Sequence, residues 1–220
     1  MRKIAYILIA VLLLSCMLGG CRRPDSGDTT GGSNASTGGT GNSTGGTNDS
    51  TGNSGGSTSG NLTDATPVEI LGQIWDAFDE GERFPAYGGP ALYAVENAPG
   101  MLDMANTDEI TANYMLPTEY LSSVESGASL FHGMNMRIFT SAAFQLKDGT
   151  DLDLMSEALR DSMQNQRWIC GTPDRILIAS AGNGILLMAY GGTEPMELFE
   201  EKLTSVYPDA DILFDEAVMG

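Results

Sequence analysis

This chain is short of the residues on which most enzyme chemistry depends. It has three cysteines and one histidine in 220 residues, and of the cysteines only Cys170 lies beyond residue 21. The body of the chain therefore cannot close an internal disulfide, and packing must stabilise it. Cations are scarce too: 11 Lys plus Arg stand against 29 Asp plus Glu, a formal net charge of −18. Such a surface repels phosphate backbones and anionic headgroups, which argues against nucleic acid as a partner and against direct docking of the domain on a membrane. Residues 26–61 contain no large apolar side chain, being 12 Gly, 8 Ser, 8 Thr, 5 Asn, 2 Asp and 1 Ala. That composition cannot bury enough surface to offset its ordering entropy, so a disordered Gly/Ser/Thr/Asn linker is expected.

What is present starts at the N-terminus. Arg2 and Lys3 precede an apolar run from Ile4 to Leu18. The run is too short for a comfortable membrane span and has the length of a signal-peptide core. Leu18-Gly19-Gly20-Cys21 resembles the lipobox of bacterial lipoproteins, which implies a new N-terminus at Cys21 bearing a thioether-linked diacylglycerol. Leu13-Leu14-Ser15-Cys16 fits the pattern more loosely and would leave Met17 and Leu18 on the mature end, so Cys21 is preferred. Two acyl chains give stable anchoring in the lipid bilayer, at about 0.8 kcal/mol per buried methylene. The expected organisation is a signal peptide over 1–20, a lipidated N-terminus and linker over 21–62, and a globular domain over 63–220.

Within the linker, Ser36-Thr37, Ser43-Thr44, Ser50-Thr51 and Ser57-Thr58 recur every seven residues. Without apolar positions this period cannot make a coiled-coil seam, so it reads as spacer. Its average span is roughly 30–36 Å and its limit about 120–130 Å.

The domain's pattern predicts an α+β fold, an antiparallel sheet with helices packed on one face. Thr66, Pro67 and Glu69 form a capping signature for a helix whose apolar face is Val68, Leu71, Trp75 and Phe78, ending at Gly81. Residues 81–109 read as irregular, with a short strand near Leu92–Val95, and Pro117 to Val124 as a brief helix. Leu130–Met136 and Ile138–Leu146 read as strands, and Thr150 as the cap of a helix striped by Leu152, Met155, Leu159 and Met163. Arg175–Ser180 and Ile185–Tyr190 form a hairpin about Gly182-Asn183-Gly184. Thr193 caps a last helix, and Asp211–Glu216 supplies an edge strand.

Met134-Asn135-Met136, Ala142-Ala143-Phe144, Asp148-Gly149, a following helix and a glycine-centred hairpin resemble a family of small Gram-positive lipoproteins, catalogued only as a domain of unknown function. The resemblance covers residues 130–206 and implies a surface lipoprotein without implying an activity. Family members often carry a glutamate after the Met-Asn-hydrophobic step, where this chain has Thr140 and Ser141.

Several constellations invite a chemical reading. His132, Met134 and Met136, spaced by two, would share one face of a strand and offer the soft ligands that Cu(I) selects. The same residues also suit a strand's core face, with Met filling gaps. Cys170 with His132 would be a nucleophile and base, but no family signature surrounds the cysteine. Ile178-Ala179-Ser180-Ala181-Gly182 lacks the first glycine of a nucleophile elbow. Gly191-Gly192-Thr193 could bring a phosphate to backbone N–H groups, although Glu194 would repel it. Asp148, Asp151 and Asp153, like Asp209 and Asp211, miss the calcium-loop pattern.

The leading expectation is a membrane-anchored, non-enzymatic surface lipoprotein with no cofactor beyond its lipid. Its domain would engage an envelope protein or a small ligand. The alternatives are a copper- or solute-binding lipoprotein and an envelope hydrolase whose site is scattered through the sequence.

Overall fold

The computed structural model describes residues 65–169 and 171–219, all within one compact unit. The expected signal peptide and linker, with Cys16, Cys21 and Cys170, lie outside the described residues.

The element order is α1 (Pro67–Asp76), β1 (Ala86–Gly88), β2 (Val95–Glu96), β3 (Gly100–Met101), α2 (Thr107–Tyr114), a 3-10 turn (Thr118–Ser123), β4 (Val124–His132), β5 (Phe139–Leu146), α3 (Leu152–Gln164), β6 (Arg175–Ser180), β7 (Ile185–Gly191), α4 (Thr193–Val206) and β8 (Asp211–Ala217). The strands form one eight-stranded sheet of order β2-β1-β4-β5-β7-β6-β8, and β3 also pairs with β4. Every pairing is antiparallel. The fold class is therefore the expected α+β.

The layering differs from expectation, because helices cover both faces of the sheet. On one face α1 and α4 pack through Ile70, Leu71, Ile74, Met196, Phe199 and Leu203 onto Leu130, Ala143, Leu177, Leu187 and Ala189. On the other, α2 and α3 pack through Ile110, Tyr114, Met155, Leu159 and Met163 onto Phe144, Ile176, Ile178, Leu186 and Met188. The cause is legible in β7, which is buried at every position and so has no solvent face. An antiparallel strand with one wet face alternates apolar and polar residues; Ile185 to Tyr190 does not.

α1 starts as its sequence requires. The Glu69 carboxylate accepts from the Thr66 backbone N–H at 2.8 Å, and the Thr66 hydroxyl accepts from the Glu69 N–H at 3.4 Å. The Thr66 backbone donor holds the Glu69 carboxyl below its ordinary range. Thr66→Ala should cost about 1 kcal/mol, read as a lower urea midpoint at unchanged slope. A carboxyl with a depressed folded pKa contributes fully above its unfolded pKa and less as pH falls through the folded value. The Thr66 hydroxyl also donates to that carboxylate at 2.8 Å and adds to the depression. Thr66→Ala removes only this part, so the gap between parent and variant should narrow in acid.

Burial ties α1 to α4 at their far ends, where the Tyr207 hydroxyl donates to Gln73 at 3.0 Å and its phenol is pushed up to about 12. Arg175 of β6 holds Glu200 of α4 and Asp215 of β8 together. Two caps sit one residue away from those read in the sequence: Asp151, not Thr150, caps α3, and Gly192 precedes α4. Residues 81–109 hold three short strands and the start of α2 rather than irregular chain.

Candidate functional site

β4 ends at His132, which settles the local geometry of the sequence's only histidine. Gly133 lies under the Tyr87 ring, where an added Cβ would meet a ring carbon at 2.5 Å. Its N–H donates to Pro85 at 2.7 Å, and the chain then turns away through residues 134–138. The expected strand over Leu130–Met136 is therefore corrected, and with it the copper reading. His132, Met134 and Met136 do not share a strand face. Met134 is 81% exposed, while Met136 lines a different pocket from His132. His132 Nδ1 already accepts from the Met134 N–H at 3.2 Å.

His132 instead forms one wall of a cleft of about 500 Å³ on the α1/α4 face. Its ring stacks on Phe84, with centroids 5.0 Å apart and planes at 23°. Desolvation lowers its pKa. With Nδ1 acting as acceptor, the neutral ring carries its proton on Nε2.

The opposite wall is α4. Glu194, Glu197, Leu198 and Glu201 line the cleft and recur at three- and four-residue spacing, the interval that puts side chains on one stripe. Met196, Phe199 and Leu203 form the adjacent buried stripe. The rim is completed by Glu82, whose carboxylate accepts from the Asp79 N–H at 2.8 Å and meets Lys202 Nζ at 3.1 Å. The Asp79 bond and Lys202 together lower its pKa. Lys202 also meets Glu201 at 3.2 Å. One cation is thus shared between two carboxylates, and Glu194 and Glu197 make no ion pair among the described residues.

The lining contains no serine, threonine, cysteine or lysine. Its equipment is an apolar aromatic–imidazole wall faced by carboxylates, which suits a cationic group carrying some apolar surface. The stripe was available in the sequence as Glu194-x-x-Glu197-x-x-x-Glu201, but nothing local showed that Phe84 and His132 would stand opposite it.

Three of the remaining sequence candidates have places in the fold. The Asp151 side chain accepts from the Leu154 N–H at 3.1 Å as a helix cap. Asp174 accepts from the Thr193 N–H at 3.0 Å, so a carboxylate of the chain already fills the α4 N-terminus proposed for phosphate. Ser180 ends β6 in the hairpin. No group of three or more His, Cys, Asp or Glu able to hold a metal occurs among the described residues, and no helix there is long and apolar enough to cross a membrane.

Comparison of the chain with protein-family models, with curated proteins and with solved structures found no match.

Proposed function

We propose that this chain is a surface lipoprotein whose domain is a non-enzymatic binding module of the cell envelope. Cys21 carries the diacylglycerol, residues 22–62 give reach, and the cleft beside His132 receives a cationic group of an envelope partner or small ligand. The observation behind the binding assignment is the α4 carboxylate stripe facing the Phe84–His132 stack across about 500 Å³. A unit charge held about 4 Å from a carboxylate near a protein surface interacts by about 4 kcal/mol before desolvation. Two unpaired glutamates are therefore enough to select the sign of the ligand. The apolar wall adds about 0.5–1 kcal/mol for a cation over an aromatic face.

The test titrates the chain with tetralysine and spermidine at two ionic strengths. Saturable binding that weakens with salt is expected. The Glu194→Gln/Glu197→Gln/Glu201→Gln variant should lose about tenfold or more in affinity. Equal binding by parent and triple variant would overturn the cleft assignment. The anchor is tested separately: Cys21→Ala should appear in the soluble fraction after signal cleavage, and its retention in membranes would overturn lipidation at that residue.

A further inference from the structure

The opposite face of the sheet carries a second pocket of about 350 Å³, bounded by α2, the turn after β4 and the segment that follows α3. We infer that this pocket binds a small organic carboxylate through Arg137, Trp168 and Arg167, independently of the acidic cleft.

The distribution of cations is the first reason. In a chain of net charge −18, a cationic side chain readily finds a carboxylate. Arg83, Arg160, Arg175 and Lys202 each do, and Lys147 donates to the Ser122 carbonyl. Arg137 and Arg167 make no ion pair among the described residues, and both line this pocket, Arg137 from a position it shares with a neighbouring one beside Asp174.

The second reason is hydrogen bonding. Arg137 Nε and Trp168 Nε1 are shut off from solvent with no acceptor in reach. Buried donors are almost always paired in folded proteins, and two orphans behind one pocket wall mark a place where a small shift of the wall brings an acceptor from the pocket into reach. Two such donors on neighbouring walls, one of them a guanidinium, fit an anionic oxygen pair. The Tyr190 hydroxyl is already committed, donating to the Asn113 carbonyl at 3.1 Å, so Tyr190 offers its ring.

The shape of the lining chooses among anions. The Trp168 and Tyr190 rings lie 5.0 Å apart at 56°, and Met136 lines the same pocket. A bare inorganic anion would leave this apolar surface unfilled, whereas a carboxylate on a compact aromatic or branched body covers it. A phosphate dianion is further disfavoured by the net charge of −18, which repels two charges more than one. Arg167 is exposed and lies at the mouth, where it steers. Arg137 reads the carboxylate.

The chain has two tryptophans, Trp75 and Trp168, so Trp75→Phe leaves Trp168 as the single tryptophan, whose emission is excited selectively at the red edge, where tyrosine does not absorb. Benzoate, phenylacetate and isovalerate are titrated into this full-length variant up to about 10 mM, with benzamide as the uncharged match and inorganic phosphate as the bare anion. The same titrations on the unmutated chain by calorimetry cover the case in which Trp75→Phe fails to fold. A saturable response to at least one carboxylate is expected, with benzamide and phosphate weaker by about tenfold or more. Arg137→Gln should remove the response by a similar factor while the protein melts no lower than its parent, because a buried orphan donor has gone. Arg167→Gln should weaken binding less and flatten its salt dependence. The inference is overturned if no carboxylate saturates, if benzamide matches benzoate, or if Arg137→Gln binds like the parent.

Discussion

Replacing Phe199 with alanine is expected to remove about 3–5 kcal/mol of stability. The ring is fully buried on the inner side of α4. It stands 5.2 Å from Phe139, which is 5.4 Å from Phe84, which stacks at 5.0 Å on His132. This line of rings runs from the core to the cleft wall, so truncating its inner end leaves a void and also withdraws support from the site. Alanine is the better helix former, but that gain is at most about 0.7 kcal/mol, far below the cavity cost. For a domain whose total stability is about 5–15 kcal/mol, the melting temperature should fall by roughly 6–20 °C. Phe199→Leu, which keeps most of the volume, should cost less than about 1.5 kcal/mol. A Phe199→Ala protein melting within about 2 °C of its parent would refute this account of the core.

Much of this fold could be read wherever a local signal set the backbone. The Gly182-Asn183-Gly184 turn has positive φ at all three residues, 78°, 48° and 69°, and the strands on either side begin and end as the sequence predicts, apart from Gly191. The Thr66/Glu69 box and β8 are equally local. Elements fixed by distant partners were not legible. Helix α2 buries only Ile110 and Tyr114, too few to set up a periodic stripe. Its one clear sign, Asn106 accepting from the Glu109 N–H at 3.4 Å, is a cap without an apolar run behind it. The strands β1, β2 and β3 are two or three residues long and exist because β4 offers hydrogen bonds to β1 and β3, and β1 in turn to β2.

The site divides in the same way. Helical spacing alone places the α4 glutamates on one stripe, so half of the cleft could have been read. The other half depends on β4 stopping at His132 instead of running through Met136, and the reason lies in Tyr87, a residue of β1 packed on Gly133. The alternating His-x-Met-x-Met pattern is satisfied by a strand or by a strand and turn, and only the contact with β1 decides between them. Arg137 and Trp168 gave no sequence signal together, since β5 and α3 separate them.

That dependence on β1 makes Gly88→Ala the most informative backbone test. Gly88 has no left-handed φ, so the constraint is space rather than conformation. A Cβ there would sit 2.2 Å from the Gly100 nitrogen and 2.5 Å from both the Pro99 carbonyl carbon and the Ser129 oxygen. All three are backbone atoms, and none can rotate aside. The crowding is reciprocal, since a Cβ on Gly100 would meet the Gly88 oxygen at 2.4 Å. Both strands hang on β4, through Tyr87↔Phe131 and Gly100↔Ser129, so one must lift away to admit the methyl group. Overpacking costs about 1–3 kcal/mol when neighbours can shift, and with only backbone to move the upper end is expected. The strain should be released at the edge before the core: amides of Asn97 and Leu102, bonded to Ala86 at 2.7 Å and to Gly127 at 2.8 Å, should exchange faster while those of β5 and β7 stay protected. Cationic ligands should bind more weakly as well, because Pro85, which anchors Gly133, and Phe84 of the cleft wall immediately precede β1. Gly72→Ala provides the opposite sign. Gly72 lies inside α1, where an added Cβ meets nothing within 4 Å, and the substitution should stabilise the helix by about 0.5–1 kcal/mol. If Gly88→Ala kept the parent's stability and edge protection, the Gly88–Gly100 contact could not be what holds β1 and β3 side by side on β4.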